Sequence, residues 1–306
     1  MTGVARADVE KAADRMAPHV LRTPVAQVAP HLALKLEGMQ HAGSFKARGA
    51  FNTIVAARDG GTIPGGGVIA ASGGNHGLAV AYAARALGVP AEIFVPEVCS
   101  PVKIEGLRAL GARVTKAGAI YSEAYEASRK RAAETGALEI HAYDQVDVVA
   151  GQGTLALELL EQAEFDTVLV AVGGGGLVAG TVAGLDGRAA VVAVEPERIP
   201  TLHAALAAGG PVPVDVSGVA ADALGASRIG AIAYETVAGR VSSVLVTDDA
   251  IVEARLAMWR DHRVAAEHAG AAALAALQSG AYVPAEGERV VAVVCGSNTD
   301  PTTLAG

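Results

Sequence analysis

Short Val- and Ile-rich runs recur along the chain, and each opens into a stretch with apolar residues at helical spacing. GVIAAS (67–72), AEIFVP (91–96), TVLVAV (167–172), VVAVE (191–195) and RVVAVVC (289–295) read as buried strands. Continuous apolar runs of this length, rather than alternating ones, belong to a parallel sheet covered by helices on both faces. HGLAVAYAARALG (76–88) predicts a helix that stops at Gly88, with Pro90 just beyond. IEGLRALG, ARVTKAG and YSEAYEASRKRAAETG repeat the alternation up to about residue 136, so the pattern predicts an α/β chain. HAYDQVDVVAGQG (141–153) shows no clear element, and a crossing between domains is placed there, near residue 146. GGTIPGGG (60–67) reads as a loop entering the strand that follows.

Composition narrows the classes of function. The 306 residues suffice for two ordinary domains. Although 51% of residues are hydrophobic and mean hydropathy is +0.36, no eighteen apolar residues run uninterrupted, so no membrane span is expected. Net charge is −8 and the 24 basic residues are scattered, which offers no footprint for nucleic acid or an anionic bilayer. Small molecules are the expected partners. Only Cys99 and Cys295 are present, and the N-terminus lacks the apolar core of a secretory signal, so a reducing, cytoplasmic chain without disulfides is expected.

Glycine, at 37 residues, is about 12% against a usual ~7%, and it clusters where the chemistry is legible. In LKLEGMQHAGSFKARGA (34–50), Lys46 stands beside Phe45; read alone, Lys46 and Arg48 decorate a helix N-terminus. AASGGNHG (70–77) lies where a strand turns into a helix, bringing Ser72 and Asn75 to its positive end, a place for an anion or simply a helix cap. Gly173, Gly174, Gly175 and Gly176 follow a buried strand and precede a helix, suiting a phosphate held by successive N–H groups. The same segment, Gly174-x-Gly176-x-x-Ala179 with Glu195 after the next strand, approaches a dinucleotide fingerprint. VVCGSNTD (293–300) delivers Cys295, Ser297 and Asn298 to a strand's C-terminal end. HExxH, paired CxxC, G-x-S-x-G and P-loop patterns do not occur, and His262 and His268 fall on different helix faces, so no metal is assigned. Trp259 reads as part of a helix that packs one face inward.

Taken in this order, the GSFKxRGA segment, the ASxGNHG loop, the tetraglycine loop and the CGxN strand end resemble the serine/threonine dehydratases and serine racemases of the tryptophan-synthase-like pyridoxal-phosphate enzymes. The resemblance spans nearly the whole chain. It implies two open parallel-sheet domains, a larger one formed by residues 1–58 and 147–306 and a smaller one, 66–146, inserted in it. It implies that Lys46 carries pyridoxal 5'-phosphate as a Schiff base, that Phe45 and Asn75 flank the pyridine ring, and that Gly173 to Gly176 hold the phosphate. Ser72, Asn75 and His76 would receive the substrate carboxylate, and Cys295 would face the ring nitrogen. The activity implied is removal of water and ammonia from a small β-hydroxy amino acid such as L-threonine or L-serine, in a homodimer.

Departures from the family pattern shape this expectation. Racemases of the family place a serine two residues before the asparagine, where this chain has Gly73, so elimination is expected over racemisation. Cys295 in place of a carboxylate implies a neutral ring, which also favours elimination. Ser217 stands where some relatives have an acid that binds a divalent ion, and the chain stops soon after CGSNTD, so neither that metal nor a regulatory domain is expected. Serine racemase and 3-hydroxyaspartate dehydratase activities are the alternatives within the family. Outside it stand an NAD-dependent oxidoreductase built on Gly174, Gly176, Ala179 and Glu195, and a binding protein that kept the fold without activity.

Overall fold

The computed structural model describes residues 3–63 and 65–304; Pro64, in the expected loop at 60–67, lies outside the described residues. The strands are β1 (Val25–Ala29), β2 (Leu32–Lys35), β3 (Val68–Ala71), β4 (Ala91–Val95), β5 (Arg113–Lys116), β6 (Leu138–Glu139), β7 (Thr167–Ala171), β8 (Ala190–Pro196), β9 (Ser242–Val246) and β10 (Val290–Val293). The helices are α1 (Arg6–Met16), α2 (Lys46–Asp59), α3 (Asn75–Ala86), α4 (Pro101–Ala109), α5 (Tyr121–Thr135), α6 (Val146–Gln162), α7 (Gly176–Leu185), α8 (Thr201–Ala208), α9 (Ala221–Leu224), α10 (Ala231–Val237), α11 (Asp248–His262) and α12 (His268–Gln278).

Two sheets share these strands. One runs β1-β2-β10-β7-β8-β9 and the other β5-β4-β3-β6. All pairings are parallel except β1 on β2. β1 and β9, the two edge strands, escape the sequence pattern because edge strands are only partly covered and lack a continuous apolar run, and β2 escapes it because it is only four residues long and ends in the charged Lys35. The central strand β7 is buried at every residue, as a sheet with helices on both faces requires.

Residues 146–153, without a clear element in the sequence pattern, open α6. Gly151 and Gly153 each weaken an isolated helix by roughly 1 kcal/mol, but here they let helix backbones touch. A Cβ on Gly153 would lie 2.5 Å from the Gly180 carbonyl of α7, and one on Gly151 would lie 2.8 Å from the Arg48 carbonyl of α2. Tertiary contact therefore overrides local propensity at this point.

Arg48 does not decorate a helix surface. It is fully buried, donates to both carboxylate oxygens of Glu37 at 2.8 Å, and reaches Glu158 on α6 at 2.7 Å. Lys35 joins the same network through Glu158 at 2.6 Å and Gln162 at 2.9 Å. The first turn of α2 is thereby tied to β2 and α6, with Lys46 at its start.

Candidate active site

The C-terminal ends of β3, β7 and β10, with the start of α2, bring the four sequence segments to one cleft, the usual ligand position in open α/β sheets. A narrow slot is lined by Phe45, Lys46, Asn75, Gly173 to Gly176, Glu267 and Cys295. It adjoins a cavity of about 520 Å³ reached by Ser72, Gly73, Asn75 and His76, and the two share Lys46, Asn75, Tyr143 and Gly174.

Lys46 Nζ donates to the Ala142 carbonyl at 2.7 Å and stands 5.1 Å from the centroid of the Phe45 ring. Burial brings its ammonium down to about 8, although Cys295 and Glu267 pull the other way. A neutral amine is thus within reach at physiological pH. In the loop after β3, Ser72 Oγ accepts from the Gly74 N–H at 3.1 Å. Asn75, first residue of α3, donates to Glu267 at 2.6 Å and accepts from Asn298 at 2.8 Å. His76 is buried, and its Nε2 meets the Ile140 carbonyl at 2.9 Å. A carbonyl only accepts, so Nε2 carries the hydrogen; burial, reinforced by Lys46, lowers this imidazole to about 3 and keeps it neutral.

The tetraglycine loop joins β7 to α7. Gly175 has φ +88°, and a Cβ there would lie 2.4 Å from Ile229 Cδ1. One on Gly174 would lie 2.2 Å from the Tyr143 ring. The Gly173 and Gly174 carbonyls are taken by Thr201 Oγ1 and the Gly230 N–H, whereas no side chain caps α7. Cys295 is buried, and burial, with Glu267 adding to it, pushes its thiol up so that it stays protonated. Ser297 Oγ donates to the Gly38 carbonyl at 2.7 Å, bracing the strand end rather than entering the slot.

Glu195 settles the dinucleotide reading. It is fully buried, and its carboxyl oxygens accept from the Leu202 and His203 N–H groups at 2.8 Å. It caps the start of α8 and has no surface to offer a ribose, which removes the basis of the oxidoreductase alternative.

Two residues of the site lie outside the motifs. Glu267 precedes α12, and burial raises its carboxyl to about 7; an acid opening an otherwise apolar helix was the available signal. Tyr143 forms the wall shared by slot and cavity, and it sits in a segment that carried no pattern of its own.

The profile of the family described as pyridoxal-phosphate dependent enzyme matches residues 16–296. The chain belongs to that family. L-threonine ammonia-lyase of Thermotoga maritima is 36% identical over 272 residues, covering 87% of this chain and 67% of that enzyme. Phenylserine dehydratase of Ralstonia pickettii is 37% identical over 276 residues, 89% of this chain and 84% of that enzyme. Among solved structures, maize serine racemase superposes with a TM-score of 0.91 at 33% identity, covering 99% of this chain and 96% of that one. The threonine deaminase of T.th. gives 0.88 at 34% identity, with 97% and 99% covered.

The residues present fit pyridoxal phosphate. The first turn of α7 has no side-chain cap, the loop before it admits no Cβ without a clash, and two of its carbonyls are already engaged elsewhere. An amine, an aromatic ring, an amide and a thiol surround the same slot. Ser44 Oγ, two residues before Lys46, is buried without a partner among the described residues. Among the described residues no cluster of three or more metal-ligating side chains occurs, and Ser217 Oγ accepts from Arg198 Nε at 3.0 Å.

Proposed function

We propose that the protein is a pyridoxal-phosphate-dependent dehydratase that converts a β-hydroxy amino acid to a 2-oxo acid and ammonia. Threonine and phenylserine, named in the relatives' activities, share this β-hydroxyl. The observation that carries the reading is the convergence of Lys46, Asn75, the tetraglycine loop and Cys295 on one slot that adjoins a cavity bounded by Ser72 to Asn75.

In this reading Gly173 to Gly176 and the start of α7 would hold the phosphate, and Phe45, Asn75 and the thiol of Cys295 would hold the ring. Bound there, pyridoxal phosphate supplies an electron sink that makes the α-hydrogen of an amino acid acidic. Lys46 Nζ, neutral at slightly alkaline pH, takes that proton. The Ser72–Asn75 loop, at the positive end of α3, orients the substrate carboxylate. His76, with its ring held by Ile140, keeps the start of that helix in place. Lys103 pairs with Asp222 at the cavity lining. Loss of the α-hydrogen and the β-hydroxyl leaves an enamine, whose imine tautomer is hydrolysed to the 2-oxo acid and ammonium.

Domain limits of 1–58 with 147–306, and 66–146, belong to the same proposal and are supported by the division of strands between the two sheets. So do the homodimer and the cytoplasmic setting; no helix among the described residues is long and apolar enough to cross a membrane. The test is stoichiometric: protein loaded with pyridoxal phosphate is given L-serine, L-threonine and L-phenylserine in turn, and ammonia and 2-oxo acid are measured together. Equal yields are expected from at least one of them. Bound cofactor with no ammonia from any of the three refutes the proposal.

A further inference from the structure

Aromatic residues make up 4% of the chain, with six tyrosines in all. Three of the six gather on one side of the cavity. Tyr121, at the start of α5, and Tyr143 line it. Tyr125 stacks on Tyr121 with centroids 6.2 Å apart and planes 7° from parallel. His141 meets Tyr125 edge-on at 5.7 Å and Tyr143 edge-on at 4.7 Å. The four rings form one continuous band that runs from the first turn of α5 to the tetraglycine loop.

The band is held from behind. His141 Nδ1 accepts from the Tyr143 and Asp144 N–H groups at 3.2 and 2.8 Å. Asp144 in turn accepts from Ala231 and Ile232 at the start of α10, at 3.1 and 2.9 Å. His141 and Tyr143, fixed in this way, lose little freedom when a ligand arrives, and Tyr121 is supported by its stacking on Tyr125. The outer end of the band is nevertheless open: Tyr121 is 49% exposed and lines the cavity beside the exposed Val98. At about 520 Å³ the cavity, which a bound cofactor would share, lies within the roughly 300–1,000 Å³ usual for ligand sites. A hydroxymethyl or hydroxyethyl side chain would leave this aromatic wall facing water.

We propose that Tyr121 and Tyr143, backed by Tyr125 and His141, form a subsite for an aryl group on the substrate β-carbon. The preferred substrates are then β-hydroxy-β-aryl amino acids. Edge-on or offset contact with two fixed rings is the arrangement aromatic groups favour. The proposal rests on the dehydratase reading and specifies its substrate. For 3-phenylserine the α-C–H and β-C–O bonds break and hydroxide leaves as water. Hydrolysis of the resulting imine consumes one water, giving phenylpyruvate and ammonium with no net redox change.

The test compares L-threo-3-phenylserine, L-threonine and L-serine on the holoenzyme. The expected kcat/KM for phenylserine exceeds that for threonine by at least about tenfold, equivalent to about 1.4 kcal/mol. Tyr121→Ala should lower the phenylserine-to-threonine ratio at least about fivefold through KM, while Tyr121→Phe, which keeps the ring, should preserve it. Turnover of threonine or serine without phenylserine overturns the proposal, as does an unchanged ratio in Tyr121→Ala. If none of the three yields ammonia, the dehydratase reading falls and ligand binding decides the subsite separately. By calorimetry on the holoenzyme, L-phenylalanine binding at least about tenfold tighter than L-alanine supports it, and equal affinity overturns it.

Discussion

The side-chain amide of Asn75 donates to Glu267 Oε1 at 2.6 Å, tying the first turn of α3 beside the smaller sheet to the residue that opens α12 against the larger one. Glu267 is buried, and burial raises its carboxyl from an ordinary 4.5 to about 7. Between those two values the folded chain keeps a proton that the unfolded chain has lost. The stability this contributes is complete below about 4.5 and vanishes as pH rises through about 7. At 1.36 kcal/mol per unit the loss between pH 5 and 8 is about 2 to 3 kcal/mol.

Glu267→Gln mimics the protonated acid and still accepts from Asn75. It should therefore flatten the fall in stability between pH 5 and 8 by about that amount. Denaturant unfolding of the cofactor-free protein at both pH values checks this. Parallel pH dependence in the two proteins would show that Glu267 does not hold the proton.

Lys46 carries the opposite shift. Held at about 8 instead of 10.5, its neutral amine is roughly 300-fold more abundant at pH 7 than that of an ordinary lysine. Capture of pyridoxal phosphate by the cofactor-free protein requires that neutral form, so its rate should rise with pH and level off above about 8. Lys46→Ala should lose both the visible absorption band that borohydride removes and several orders of magnitude in turnover. Lys35 is no substitute, because its Nζ is locked to Glu158 and Gln162 in the core. A band persisting in Lys46→Ala would point to Lys103, which lines the cavity.

The buried network under α2 predicts a large effect on folding. Removing Arg48 leaves Glu37, fully buried, without the guanidinium that meets both its oxygens. Arg48→Met should destabilise the protein by about 3–5 kcal/mol. Arg48→Lys should recover little of it, because an ammonium cannot replace the fork of donors. Chemical denaturation measures both, and a loss under about 1 kcal/mol in Arg48→Met would mean that Glu37 finds another partner or stays protonated.

These residues also mark what could be read from the sequence. The strands that deliver chemistry, β3, β7 and β10, are short uniform apolar runs ending in Gly, Ser or Cys, a pattern set by local composition alone. Asn75, the four glycines and Cys295 follow directly from them, and Lys46 lies in a motif of its own beyond β2. Glu267 and Tyr143 did not, because their importance comes from what they meet across the cleft, and a spacing rule does not record partners 192 residues apart in sequence. The helix over 146–153 was lost for a related reason: its glycines are unfavourable locally and suited only to the neighbours they touch. Arg48 looked like surface charge because the acids that neutralise it come from β2's exit and from α6.

Gly73 and Cys99 together decide how the reaction choice should be tested. Gly73 is not among the residues with positive φ, so its backbone does not exclude a side chain. Space does: a Cβ at 73 would lie 2.7 Å from Cys99 Sγ. With no side chain at 73 to return a proton, elimination from L-serine should exceed racemisation by at least roughly tenfold, about 1.4 kcal/mol in barrier. Gly73→Ser by itself should chiefly displace Cys99 and the loop after β4, lowering turnover of both kinds. Gly73→Ser with Cys99→Ala removes the sulfur that stands in the way and should raise the ratio of D-serine to pyruvate at least severalfold above that of the parent. Chiral chromatography of the products, with pyruvate measured in the same samples, gives that ratio. D-serine formed as fast as pyruvate by the parent protein would show that another group already protonates the second face, and a double variant with an unchanged ratio would show that a hydroxyl at position 73 does not reach it.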